Sequence, residues 1–371
     1  MTAIVVAIPA HDEAERIETC LDALARQPAA SRHIAGVVVF ANNCRDNTAT
    51  IARAMTLPFA IDVIEAELPP EHAHIGWARR GATDAAFARL AKLGIADGII
   101  ANTDADSHVG CDWLAAIVAD FEHGADAVAG AIDIDPSDAA ALAGTTQRRA
   151  EHDYAAAVAR VNARLDPIEH DPWPNHIWAW GANLAVRARV LAAVGGMPTV
   201  NLAEDRALHA ALLCRDARVR HSVTARVWTS GRSDGRAPGG FADLLHSYAN
   251  DPRALADFAL EPARAAWTRA RLRGQARRLW QRGGAAALAP MAAALGASAP
   301  ATDRFGAAWM TIAETSDALQ WHRVAVADLP GETRKLEGML DRFSRGSADD
   351  RCDTAASPDA RHARLRAQSL R

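Results

Sequence analysis

Two acidic pairs are the residues of this sequence best placed to do chemistry. Asp104 and Asp106 stand two apart just after the apolar run Ile99–Ala101. In an extended segment residues i and i+2 point to the same side, so both carboxylates can face one site. Paired carboxylates are hard oxygen ligands suited to Mg²⁺ or Mn²⁺, and such an ion in turn suits a diphosphate. Glu204 and Asp205 form the second pair, adjacent in sequence at the start of a segment whose Leu208 and Leu212 make an apolar helical face. Acids in the first turn complement the positive end of the helix dipole.

The elements that must position these residues alternate in type. Ala3–Ile8 is a β-branched apolar run of strand length, and Pro9 is expected to stop it. Asp12 and Glu13 then open a helix with Ile17, Leu21 and Leu24 on its buried face. Ile34–Phe40 reads as the next strand, followed by the polar turn Asn42–Asn47 and a helix carrying Ile51 and Met55. A third cycle pairs the strand Ala60–Ile64 with a helix from about Trp77 to Leu93, and a fourth is the strand that ends at Asp104. A helix around Trp113–Phe121 and a strand near Ala127–Ile132 come next. Such alternation predicts an α/β fold, Rossmann-like, with a mostly parallel sheet and helices on both faces. Ligands bind beyond the carboxyl ends of such strands. Pro9–Glu13, Asn42–Asp46 and Asp104–Asp106 all follow strand ends, so they are expected to gather on one edge.

Beyond Ser137 the chain is Ala-rich and helical to about Arg164, and the loop Asp166–His176 holds three prolines and two histidines. That density marks an ordered loop. Trp178 and Trp180 follow it; with Trp173 they suit either a core or a sugar-stacking surface. Val219–Val227 reads as a strand, and Arg232 and Arg236 lie in the Gly-rich loop after it. After Gly240 the sequence becomes helical, rich in Arg and Ala, and from Pro262 to Thr302 it has no acid. A last amphipathic helix spans roughly Glu332–Phe343, and the small, polar and charged residues from Ser344 onward predict disorder. The expected division is a catalytic domain over 1–236, a helical C-terminal extension over 237–343 and a disordered tail over 344–371.

With 371 residues, half of them hydrophobic, the chain has ordinary globular composition. Its net charge of −4 argues against a dedicated nucleic-acid binder. Five scattered cysteines without a C-x-x-C pair indicate neither a disulfide framework nor a zinc site. The N-terminus lacks the basic and cleavage regions of a signal peptide, and Gly283–Ala297 is too short to span a bilayer. The expected location is the cytoplasm.

Four features in order resemble the family 2 glycosyltransferases, inverting enzymes of the GT-A fold. Ile8-Pro-Ala-His-Asp-Glu13 is similar to that family's first-strand exit, and Asn42-Asn-Cys-Arg-Asp-Asn-Thr48 to its second turn. Asn102-Thr-Asp-Ala-Asp106 resembles its DxD metal motif, and Gly195-Gly196 followed by Glu204-Asp205 its acceptor-side acidic pair. The resemblance spans about residues 3–236. It implies a transferase that moves a hexose from a UDP- or GDP-linked donor to an acceptor, with Mn²⁺ or Mg²⁺ as cofactor. Pro9, Ala10, Glu13, Asn42 and Asp46 would then hold the nucleotide, Asp104 the ribose or metal, and Asp106 the metal. Asp205 would be the general base, with Glu204 its neighbour. His221, on a predicted strand, reads either as a core or surface histidine or as a third metal ligand. Arg79, Arg232 and Arg236 would be diphosphate partners, since guanidinium suits bidentate phosphate contact.

The sequence also departs from the family. Ala41 stands where many members carry an Asp that reads uracil, so the base is left open between UDP and GDP. Gln-x-x-Arg-Trp is absent, which favours single-sugar transfer over processive synthesis. Two other functions fit the same sheet: a sugar-phosphate nucleotidyltransferase, and a catalytically silent binding protein. The first normally carries a glycine-rich loop after strand one, and Pro9–Glu13 has no glycine. The Arg-rich helix 263–282 reads either as a solvated helical cap or as a peripheral membrane contact near a lipid-linked acceptor.

Overall fold

The computed structural model describes residues 2–139, 145–232, 235, 240–251 and 253–355, with side chains as far as Arg345. One eight-stranded sheet organises it. The strands are β1 (Ile4–Ala10), β2 (Ile34–Asn42), β3 (Ile61–Ala66), β4 (Ile99–Asn102), β5 (Ser107–Val109), β6 (Ala127–Ile134), β7 (Leu184–Arg187) and β8 (Val219–Thr229). Their spatial order is β3-β2-β1-β4-β7-β6-β8-β5. Pairings among β1 to β4 and between β6 and β8 are parallel, while β7 runs antiparallel to both neighbours and β5 antiparallel to β8.

Thirteen helices are described: α1 (Ile17–Ala25), α2 (Ala30–His33), α3 (Thr48–Ala54), α4 (Ile75–Lys92), α5 (Trp113–Glu122), α6 (Pro136–Ala139), α7 (Thr145–Leu165), α8 (Ala188–Ala193), α9 (Glu204–Cys214), α10 (Phe241–Asn250), α11 (Ala263–Ala294), α12 (Phe305–Thr315) and α13 (Leu329–Ala355). The period-2 alternation inside the strands decides which helices cover which face. Ile4, Val6, Ile8, Val37 and Val39 face one core with α1, α3 and α5. Val5, Ala7, Val38 and Phe40 face the opposite core with α4, α8 and α9. A third core joins α7 to α10, α11 and α13, from Tyr154 to Leu340, and so takes residues from both sides of position 236.

Three local expectations are corrected. Pro9 does not stop β1: it lies inside the strand opposite Phe40. The carbonyls of Ala3 and Ala7 point toward β4, and β1–β4 pairing ends at Ala7↔Asn102, so the ring of Pro9 displaces no ladder bond. Helix α1 begins at Ile17, not at Asp12, which takes a left-handed φ of 54°. The stretch from Ser344, expected to be without structure, continues α13 as far as Ala355; no proline interrupts it before Pro358, and extending an existing helix is inexpensive. The remainder of that tail lies outside the described residues. Strands β5 and β7, three and four residues long, were too short to show a period in the sequence.

Candidate active site

The segments after β1, β2, β4 and β8 meet at one edge of the sheet, where the sequence pattern placed a ligand site. Asp46 organises the turn after β2: it accepts from the Thr48 N–H and hydroxyl and from the Ala14 N–H at 2.9 Å. The Thr48 hydroxyl in turn accepts the Glu13 N–H at 2.8 Å, which ties this turn to the β1 exit. Asn42 is buried beside it, and its carbonyl takes a bond from His11 Nδ1 at 2.9 Å. Pro9 and Ala10 line the same exit as backbone of β1.

Asp104 and Asp106 do not sit in an extended segment. They form a turn closed by the Ser107 N–H on the Asp104 carbonyl at 3.1 Å, because β4 ends at Asn102 and the chain must cross to pair with β8. The two carboxylates therefore reach different arginines. Arg232 Nη1 donates to Glu13 Oε2 at 2.8 Å, and its Nη2 lies 3.1 Å from Asp106 Oδ2. Arg79, 3% exposed, lies 2.9 Å from Asp104 Oδ1 and donates through Nε to Glu204 Oε1 at 2.9 Å. Burial works against the charge of Arg79, but Asp104 and Glu204 hold it protonated.

One buried guanidinium thus links the DxD turn to the acidic pair at the start of α9. Arg79 Nη1 also donates to the Gly181 carbonyl at 2.9 Å, and the Gly181 N–H donates to Asp205 Oδ2 at 2.9 Å. Gly181 was not singled out as a site residue in the sequence. Its signal is steric, since a Cβ there would come within 2.6 Å of the Arg79 guanidinium. Arg79, expected to bind a diphosphate, is paired with carboxylates on both sides, and Arg232 is likewise paired with Glu13 and Asp106, though it is less buried. Arg236 lies outside the described residues.

Asp106 and Asp205 shift in the same direction. Burial pushes the Asp106 carboxyl up to about 6, and the Asp104 and Glu13 carboxylates add to this against the opposing Arg232. Burial, with Glu204 adjacent, likewise raises Asp205, while the Gly181 N–H pulls it back. Asp104 Oδ1 is buried and, despite its ion pair, receives no hydrogen bond. Neighbouring acids that raise one another's proton affinity are compatible with a divalent cation on Asp104 and Asp106.

His221 is not brought to that cluster. Its Nδ1 lies 2.8 Å from Asp171 Oδ2 and its Nε2 lies 3.1 Å from His209 Nε2, so both ring nitrogens are engaged elsewhere. His176 packs edge-on against it at 5.5 Å. Trp178 is buried and stacks at 4.7 Å on Trp180, which is half-buried; Trp173 is exposed.

Residues 5–172 match the family model described as glycosyl transferase family 2. No curated protein matches the chain. Among solved structures the chain is similar to S. aureus TarS, with 19% identity and a TM-score of 0.40, covering 62% of this chain and 37% of that one. The Pyrobaculum calidifontis mannosyltransferase PcManGT, in complex with GDP-Man and Mn²⁺, shares 16% identity at a TM-score of 0.45, covering 99% and 79%. Glucosyl-3-phosphoglycerate synthase from Mycobacterium tuberculosis, in complex with Mn²⁺, UDP and phosphoglyceric acid, shares 16% at 0.39, covering 67% and 77%.

Proposed function

Starting from the match of residues 5–172 to the glycosyl transferase family 2 model, we propose that this protein moves a single sugar from a nucleotide-sugar to an acceptor hydroxyl, with inversion. The observation that carries the reading is the Arg79 link, which fixes a metal-type acidic turn and a separate acidic pair at one strand edge. Asp104 and Asp106 would hold Mn²⁺ or Mg²⁺, which when bound neutralises charge on the departing diphosphate. Glu13, Asn42 and the Asp46 turn form the nucleotide side, and Arg232 sits between Glu13 and Asp106 within reach of phosphate oxygens.

Asp205 is the general base. Its raised proton affinity improves it as an acceptor of the hydroxyl proton, and the Gly181 N–H fixes its orientation. Glu204 is buried on Arg79 and positions the helix start without competing for that proton. The donor is UDP- or GDP-linked, and the fragment of TarS in complex with UDP-GlcNAc and PcManGT with GDP-Man offer one precedent for each.

The test is a thermal-shift panel of UDP, GDP and their sugars with and without Mn²⁺. Binding to the folded state raises apparent stability by mass action. A metal-dependent shift that disappears in Asp106→Ala is expected; an undiminished shift in that variant removes Asp106 from the site.

A further inference from the structure

Away from the strand edge, one face of the helical extension gathers exposed arginines around exposed aromatic rings. Arg264, Arg271, Arg278 and Arg282 are solvent-facing and recur at spacings of seven, seven and four along α11. Those spacings set them on one stripe of the helix. The other arginines of the helix turn inward: Arg273 and Arg277 bond Asp166, and Arg269 bonds Glu261. None of the four outward arginines has an acidic partner among the described residues.

The stripe continues onto neighbouring helices through apolar contacts. Trp267, one turn from both Arg264 and Arg271, packs edge-on against Phe343 of α13 at 5.7 Å. Arg164 of α7 lies over the Phe343 ring at 5.4 Å. Arg160, Arg164, Trp173 and Leu340 then line a shallow groove of about 320 Å³, with Asp341 its one acid. Trp173 is 47% exposed and Phe343 40%, so part of each ring meets water.

We infer that this face, Trp173, Trp267 and Phe343 ringed by Arg160, Arg164, Arg264, Arg271 and Arg278, docks on an anionic lipid surface. Exposed aromatics gain by burial at the headgroup boundary, and unpaired guanidiniums meet lipid phosphates bidentately. Single-stranded nucleic acid fits less well, because base stacking needs open ring faces. Here Phe343 is covered by Arg164 on its face and by Trp267 edge-on. No described helix is long and apolar enough to cross a membrane, so contact through this face is peripheral. The inference stands apart from the proposed activity, since none of these residues belongs to the strand-edge site.

The test is co-sedimentation of the full chain with phosphatidylglycerol–phosphatidylcholine vesicles and with pure phosphatidylcholine vesicles. Binding to the anionic vesicles at low salt, lost in high salt, is expected. Replacing three arginines together (Arg264→Gln, Arg271→Gln, Arg278→Gln) should weaken partitioning on the order of 100-fold. Trp173→Ser with Phe343→Ser should weaken it further at every salt concentration. An unchanged thermal melt shows that each variant is folded; if either set melts early, Arg160→Gln with Arg164→Gln serves instead. No binding to anionic vesicles overturns the inference, as does tighter binding to a single-stranded oligonucleotide than to vesicles.

Discussion

The strand-edge carboxylates and the histidine cluster behind β8 are both packed polar groups, yet they solve burial in opposite ways. At the edge, Glu13, Asp104, Asp106 and Glu204 share two arginines. Behind β8, burial pushes His176 and His209 down to about 3, and the neighbouring His221 adds to it, so both are neutral at pH 7. Asp171 is held at about 2: burial works against it, but hydrogen bonds from His221 and Arg220 prevail. The first arrangement holds more carboxylates than its two arginines neutralise. The second balances Asp171 against His221 and Arg220, and its buried atom without a hydrogen bond, His176 Nε2, belongs to a neutral ring. Residual charge demand marks a place where a ligand has something to contribute, and balanced charge marks scaffolding.

The largest effect that would break this contrast is catalytic. Asp205→Asn keeps the shape, removes the proton acceptor and should lower turnover by roughly 10²–10⁴-fold. Nucleotide affinity should be nearly unchanged, because the proposed nucleotide contacts lie on the β1 and β2 exits. Loss of nucleotide affinity with turnover kept would move Asp205 to the donor side. Its raised proton affinity also means that turnover falls with acid at a higher pH than an ordinary aspartate would give.

Next in size is Arg79→Met. It leaves Asp104 and Glu204 facing one another without the guanidinium between them, and should destabilise the fold by about 3–5 kcal/mol in urea unfolding. A loss below about 1 kcal/mol would show that the two acidic pairs do not depend on that link.

How much of this was legible beforehand follows from the range of each signal. The strands of β1, β2 and β4 and the shared strand edge came from apolar runs and from turn residues such as Asn42–Asn47, which act over a few positions. The helical face of Leu208 and Leu212 showed in the same way. The Arg79 link joins residues 125 apart in sequence, and no local pattern encodes such a pairing. Residue type alone matched Arg79 to phosphate and His221 to a metal; only packing assigns them to carboxylates and to Asp171. The turn geometry of Asp104–Asp106 was hidden for a related reason, since it depends on where β4 loses its neighbours.

The histidine cluster sharpens the comparison through pH. For His176 and His209 the folded value near 3 lies below the unfolded value near 6.5. The unfolded chain therefore binds more protons between these limits, and stability is lost as pH falls below 6.5. Between pH 6.5 and 5 each buried imidazole should account for about 1.6 kcal/mol. Urea unfolding at the two pH values measures this, and His209→Gln should flatten the slope. An unchanged slope in that variant would place the proton uptake elsewhere.

The smallest effect concerns the join between the β1 exit and the β2 turn. Thr48 is fully buried; its hydroxyl accepts from the Glu13 N–H and donates to Asp46 Oδ1. Thr48→Val keeps the shape but leaves the Glu13 N–H without a partner, which should cost about 1–2 kcal/mol. Thr48→Ser retains the hydroxyl and should recover most of that loss. The carboxylate of Glu13 is held separately by Arg232, so the metal-type turn should be undisturbed. The nucleotide side should not be, because the backbone from Glu13 to Ala14 hangs on Thr48 and Asp46. Thr48→Val should therefore weaken nucleotide binding while Asp106-dependent metal sensitivity persists. If both fell together, the strand-edge site would be one cooperative unit and not two halves joined at Arg232.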